Sequence, residues 1–169
     1  MSSNTDWNIV DRTGLELALQ QARRSYQEGG IPIGSVLLLP DRESSTGFVV
    51  LGAGHNERMQ KKSPTLHGEI SALENAGRQK AETYRSSVLY TTLSPCSMCS
   101  GAILLYKIPR VVIGENDTFL GEEDLLRSRG VDIVVLKNQE CKDLMTRFIA
   151  EKPEEWNEDI GEFRDGKPC

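Results

Sequence analysis

The chain predicts an α/β fold of three layers, a mixed five-stranded sheet with helices on both faces, and three observations carry that expectation. Apolar residues recur by threes and fours in some stretches and run continuously in others, and the two kinds alternate along the chain. From Val88 to Leu136 the order is strand, helix, strand, helix, strand, two βαβ units whose right-handed crossovers bring parallel strands together. Ahead of them, two β-rich runs separated only by the polar loop Pro40 to Gly47 read as an antiparallel hairpin.

The elements follow in order. Met1 to Asp11 is polar and reads as loosely held, and Thr13-Gly14-Leu15-Glu16 reads as a capping box that opens a helix. Its apolar stripe is Leu15, Ala18, Leu19, Ala22 and Tyr26, and Gly29-Gly30 with Pro32 ends it. Ile33 to Leu39 and Phe48 to Gly52 are the hairpin strands. After Pro64 a second helix presents Leu66, Ile70, Leu73 and Gly77 on one face. Val88 to Thr92 is a strand, and Ser94-Pro95 then reads as N-cap and first residue of a third helix reaching about Tyr106. Strands at Arg110 to Gly114 and Val131 to Leu136 flank a helix near Glu122 to Ser128, and Cys141, Leu144, Met145, Phe148 and Ile149 mark the face of a further helix. Periodicity alone leaves the acidic stretch from Pro153 onward as a tail.

Composition narrows what this domain does. With 169 residues the chain is too short for two cores, and the whole of 1–169 reads as one domain. A chain of this size buries roughly 70% of the surface its unfolded form exposes, so no metal is needed for folding. Its net charge of -5 argues against a nucleic-acid grip built on phosphate neutralisation. No apolar run approaches the ~18 residues that span a bilayer, and no leader pattern opens the chain, so the expectation is a cytoplasmic protein with access to the nucleus and no membrane partner.

Cysteine and histidine are scarce, and that scarcity is informative. There are four cysteines, Cys96, Cys99, Cys141 and Cys169, and two histidines, His55 and His67. Cys96 and Cys99 are spaced C-x-x-C, a metal or redox pattern rather than a disulfide framework. Cys141 sits in an apolar helix stripe and reads as core, and Cys169 as incidental. His67-Gly68-Glu69 and Pro95-Cys96-Ser97-Met98-Cys99 each stand at an expected helix start, and together they form the H-x-E and P-C-x-x-C pair of zinc deaminases. Cysteines three apart in a first helical turn share a face, and the positive end of the helix favours thiolates. His67, Cys96 and Cys99 make three Zn2+ ligands where a closed structural site takes four, which leaves one position for water. Two thiolates cancel the charge of the ion, so a base is needed, and Glu69 is the candidate.

The residues resemble a known family along most of the chain. Gly54-His55-Asn56, Thr65-Leu66-His67-Gly68-Glu69-Ile70-Ser71, Leu89 to Cys96, Gly114-Glu115-Asn116 and Trp156 to Gly161 are similar to the fungal cytosine deaminases of the cytidine and deoxycytidylate deaminase superfamily. The resemblance implies the cytidine deaminase-like fold, a homodimer, and conversion of free cytosine, and of 5-fluorocytosine, to uracil and ammonia in pyrimidine salvage. It places the zinc on His67, Cys96 and Cys99 and the proton shuttle on Glu69. It places the base against Asn56 and the backbone of Gly68, with Asp159 facing the amino end of the ring and Leu93 and Ser94 nearby. Phe119 and Trp156 become the aromatic cover and Ile33 and Ile160 further walls, so residues 153–161 form a lid and 162–169 a polar tail. Ser97 departs from the acidic residue the family carries between its cysteines. Rival readings are a tRNA adenosine deaminase of the same superfamily, which the acidic balance opposes, and a zinc-binding or redox module, which leaves Glu69 without a role.

Overall fold

The computed structural model describes residues 7–162. Five strands, β1 (Gly34–Pro40), β2 (Phe48–His55), β3 (Val88–Leu93), β4 (Arg110–Glu115) and β5 (Asp132–Val135), lie in the order β2-β1-β3-β4-β5. β1 runs antiparallel to both β2 and β3, while β3, β4 and β5 are mutually parallel. The expected mixed sheet, its hairpin and its two βαβ units are therefore present. Because β1 alone is reversed, the start of β1 and the ends of the other four strands meet along one edge of the sheet.

The two faces are read directly from strand alternation. Val36, Leu38, Val88, Tyr90 and Val112 pack against Ala18 of α1 (Trp7–Gln27), the face that α1 shares with α7 (Gln139–Glu151). The intervening residues Leu37, Leu89, Val111 and Ile113 point the other way, onto Ile103 of α5 (Ser97–Tyr106) and Leu126 of α6 (Glu123–Ser128), with α3 (Gly68–Ala76) beside α5. Three short helices complete the order: α2 (Arg58–Lys61), α4 (Ala81–Arg85) and α8 (Pro153–Asp159), the last packed on α7.

Three sequence expectations are corrected. The first helix starts at Trp7, not at Thr13, whose hydroxyl instead donates back to the Ile9 carbonyl at 2.9 Å. Of the stretch expected to be loose, Trp7 to Asp11 is helical, and Asp11 is buried, accepting from Tyr90 Oη at 3.0 Å and from Arg110 Nη2 at 2.6 Å. Gly14 then lies mid-helix because the helix crosses the Tyr90 ring there, where a Cβ would stand 2.6 Å from a ring carbon. The third helix begins later than expected, with Cys96 as N-cap and Ser97 as first residue, so Ser94 does not cap it. The Ser94 hydroxyl donates to Glu123 at 2.8 Å and accepts from the Gly121 N–H at 3.0 Å. Finally, Pro153 to Asp159 is a helix whose Trp156 is buried with Ile31, Ile33, Met145 and Phe148, so this stretch is not the tail that periodicity alone suggests. Met1 to Asp6 and the stretch 163–169, including Cys169, lie outside the described residues.

Candidate active site

The site lies at the sheet edge where the ends of β2, β3 and β4 meet the start of β1. Two helices begin there side by side. His67 is the N-cap of α3 and Cys96 the N-cap of α5, both with extended backbone, and neither side chain caps its own helix. Freed from that task, both project past the helix ends. Glu69 and Cys99 follow within the first turns of the same two helices.

These placements bring the donor atoms of His67, Cys96 and Cys99 to within 4.8 Å of one another, the one such group among the described residues. Cys96 Sγ lies 3.5 Å from His67 Nδ1. Zn–S and Zn–N bonds of about 2.3 and 2.0 Å at a tetrahedral angle put such donors roughly 3.5 Å apart, so this pair stands at the spacing zinc requires. The opposite ring nitrogen, Nε2, is 3.6 Å from Asp159 Oδ1, the carboxylate–histidine arrangement that orients metal ligands.

The protonation pattern suits a metal site as well. A hydrogen bond from Cys99, with His67 adding to it, holds the Cys96 thiol down at about 4. The same bond, with burial, pushes Cys99 well above the ordinary thiol value. Burial opposes a proton on His67, but the Cys96 sulfur and the Asp159 and Glu69 carboxylates outweigh it and raise the ring. Glu69 is raised chiefly by burial and next by the Cys96 charge. Its two oxygens have separate neighbours: Thr91 Oγ1 donates to Oε1 at 3.1 Å, and Cys99 Sγ lies 3.3 Å from Oε2.

Beside this cluster is a narrow cavity walled by Ile33, Leu93, Ser94, Phe119, Trp156, Asp159 and Ile160, which His67, Glu69 and Cys96 also line. Seven of the nine residues expected to surround a substrate are thus in its walls. Phe119 and Trp156 meet edge to face, centroids 5.9 Å apart. Phe119 is carried by a loop that the buried Glu115 carboxylate ties down through the Asp117 and Thr118 N–H groups at 2.7 and 3.0 Å.

The other two stand behind the walls. Asn56 is buried, with Nδ2 donating to Asp159 Oδ1 at 2.9 Å and Oδ1 accepting from the Arg58 N–H at 3.1 Å. Gly68 backs onto β1, where a Cβ would lie 3.0 Å from the Ile33 carbonyl oxygen. Sequence reasoning missed Arg58, which donates from Nη1 to Asp159 at 3.2 Å, and Thr91, which steadies Glu69. An arginine in a loop between two elements and a threonine inside a strand carry no signal of their own.

Three metal-binding donors, a fourth position left over and a buried carboxylate beside them define a mononuclear zinc enzyme of the hydrolytic kind. The chain belongs to the cytidine and deoxycytidylate deaminase family, whose zinc-binding region matches residues 9–115, a stretch containing His67, Glu69, Cys96 and Cys99. It is 61% identical over 152 residues to the cytosine deaminase of Candida albicans, covering 90% of this chain and 97% of that one. A tRNA-specific adenosine deaminase of Haemophilus influenzae is 32% identical over 156 residues, 86% of each chain. Among solved structures, one from work on A-to-I editing by tRNA:A34 deaminases aligns with a TM-score of 0.64 at 26% identity, over 79% of this chain and 99% of that one.

Proposed function

We propose that the enzyme hydrolyses the exocyclic C–N bond of free cytosine, and of 5-fluorocytosine, giving uracil and ammonia. The observation that carries this reading is the narrow cavity over Glu69 and His67, closed by Trp156, Asp159 and Ile160, in a chain sharing 61% identity with a cytosine deaminase. Phe119 and Trp156 give a planar base two aromatic walls, and the residues that close over it exclude a ribose.

Zinc bound by His67, Cys96 and Cys99 supplies the Lewis acidity that makes a water nucleophilic at neutral pH. Glu69 accepts a proton from the attacking water and delivers it to N3 of the ring, which makes C4 electrophilic. It then passes the second proton to the exocyclic nitrogen, and ammonia leaves. A carboxylate raised by burial suits both directions of transfer. Asn56 offers the edge of the base the amide hydrogen and the carbonyl lone pair that Asp159 and Arg58 leave over, the Gly68 N–H supplements it, and Asp159 accepts from the amino group. Helix α8 with Ile160 acts as the lid, and the chain works as one domain.

A homodimer belongs to the same proposal. Its support is the groove lined by Ile70, Leu73, Ala102, Leu105 and Tyr106, where Leu105 is 72% exposed. A role in pyrimidine salvage, in the cytoplasm, belongs to the same reading; among the described residues no helix is long and apolar enough to cross a membrane. The test is metal analysis with an ultraviolet assay on cytosine, cytidine, guanine and tRNA. Stoichiometric zinc with turnover of cytosine alone is expected, and turnover of tRNA or cytidine in its place would overturn the reading. Sedimentation of the intact protein checks the dimer.

A further inference from the structure

Asn56 follows the edge strand β2; its own N–H donates to the Ile33 carbonyl at 2.8 Å, and the N–H of the next peptide, at Glu57, to the Leu66 carbonyl at 2.9 Å. Its carboxamide is shared between Asp159 and the Arg58 N–H, and a rotation of the Asn56 peptide would carry it away from both. On its carbonyl side that peptide is held by His55, which faces Glu28, and the reaction does not otherwise use either residue.

His55 is 4% exposed. Its Nδ1 lies 3.1 Å from the Asn56 carbonyl oxygen and its Nε2 3.5 Å from Glu28 Oε2. A carbonyl oxygen only accepts, so Nδ1 carries the hydrogen and donates it. The other nitrogen faces the Glu28 carboxylate, which attracts it when that nitrogen carries a hydrogen as well. Ser25 Oγ lies 2.9 Å from the same carbonyl, but it also lies 2.6 Å from the Ile31 carbonyl. One hydroxyl hydrogen serves the closer acceptor, Ile31, and leaves His55 as the standing donor to Asn56. Around this pair, Glu28 also meets Arg24 Nε at 2.9 Å and Gln60 Nε2 at 3.4 Å. Glu57, on the α3 side, is tied to Lys61 at 3.0 Å and to Ser71 Oγ at 2.9 Å.

We propose that Glu28 and His55 form a positioning pair for Asn56 that sets affinity for the base without entering the proton transfers. The inference rests on the proposed reading of Asn56 as the residue that contacts the substrate edge. His55→Leu removes the donor to Asn56, and KM for cytosine rises about tenfold, the worth of one buried hydrogen bond, while kcat stays within about twofold. Glu28 is half-exposed, so Glu28→Gln keeps the fold and raises KM ~threefold. The inhibition constant of uracil moves with KM in both, zinc remains stoichiometric, and the double variant is no worse than His55→Leu because both act through one contact.

An unchanged KM in Glu28→Gln and in any folded His55→Leu overturns the pair, as does a fall in kcat with KM unmoved, or full additivity in the double variant. The chain has two histidines and zinc holds His67, so the ring 15N spectrum of the zinc-loaded protein reports His55. A wild-type protein inactive on cytosine overturns the reading of the pocket instead. The pair is then judged by that spectrum, in which Nδ1 without a proton overturns it.

Discussion

Asp159 Oδ1 stands 3.6 Å from Nε2 of His67, the ring nitrogen opposite the one that faces Cys96. One oxygen atom of α8 thereby meets the proposed metal ligand, the Asn56 amide and the Arg58 guanidinium. Helix α8 thus both lines the cavity, through Trp156 and Asp159, and supplies the carboxylate behind the histidine.

Asp159→Ala separates the two roles. Loss of the carboxylate behind His67 weakens zinc binding by about 10- to 100-fold, as loss of such partners does elsewhere. Competition with a chromogenic chelator measures it. Zinc affinity equal to wild type would mean that Asp159 serves the pocket alone.

Glu69→Gln keeps the shape of the side chain and the bond from Thr91 but removes the base. Zinc content is expected to stay near one per chain while kcat falls by about 10²- to 10⁴-fold. Cys99→Ala does the reverse and loses the metal. A zinc-loaded, fully active Glu69→Gln protein would remove Glu69 from the proton path.

The zinc site was legible because its chemistry constrains spacing locally: ligands three apart in a first helical turn, and an H-x-E at a second helix start. The strands were legible from apolar runs. Contacts between distant parts of the chain were not. Asn56 and Asp159 are 103 residues apart and meet only after α8 docks, and Trp156 gives no periodic signal in a seven-residue helix that α7 and the loop at Ile31 bury. Helices α2 and α4, of four and five residues, are too short to show a face. Ser94-Pro95 resembles a helix start in composition, yet the hydroxyl was claimed by Glu123, 29 residues on.

Asp11 illustrates the same limit and yields a stability test. Its carboxylate accepts from Tyr90, which is buried, and from Arg110. Asp11→Ala leaves both without that partner, and a loss of about 1–3 kcal/mol is expected in urea unfolding of the zinc-loaded protein. An unchanged midpoint would return the N-terminal turn of α1 to the loose segment its polar sequence suggests.

Phe119→Ala addresses the size of the substrate. Phe119 is half-buried and meets Trp156 edge to face, so its removal opens the cavity wall while the buried Trp156 stays anchored among Ile31, Ile33 and Phe148. The preference for cytosine over cytidine, taken as the ratio of kcat/KM values, is expected to fall by about tenfold or more, within the range that one hydrophobic wall commands. A variant that still rejects cytidine as strongly as wild type would move the exclusion to α8 and Ile160.

Zinc uptake by the apoprotein should depend on pH in a way that the three ligands dictate. Ligands bind without their protons, so each proton that must leave costs one decade of affinity per pH unit of acidification. Cys96, held at about 4, is already a thiolate at neutral pH and releases nothing. Cys99, pushed up by its bond to Cys96 and by burial, carries a proton throughout the neutral range and always releases one. His67 is raised above its ordinary 6.5 by Cys96, Asp159 and Glu69 in spite of burial, and it adds a second proton below its titration. Apparent zinc affinity is therefore expected to climb about two decades per pH unit on the acid side of the His67 titration and about one on the alkaline side. Calorimetry in buffers of different ionisation enthalpy counts the protons directly. Release of two protons well above the His67 titration would show that Cys96 is a thiol in the apoprotein, and that the bond from Cys99 does not hold its proton off.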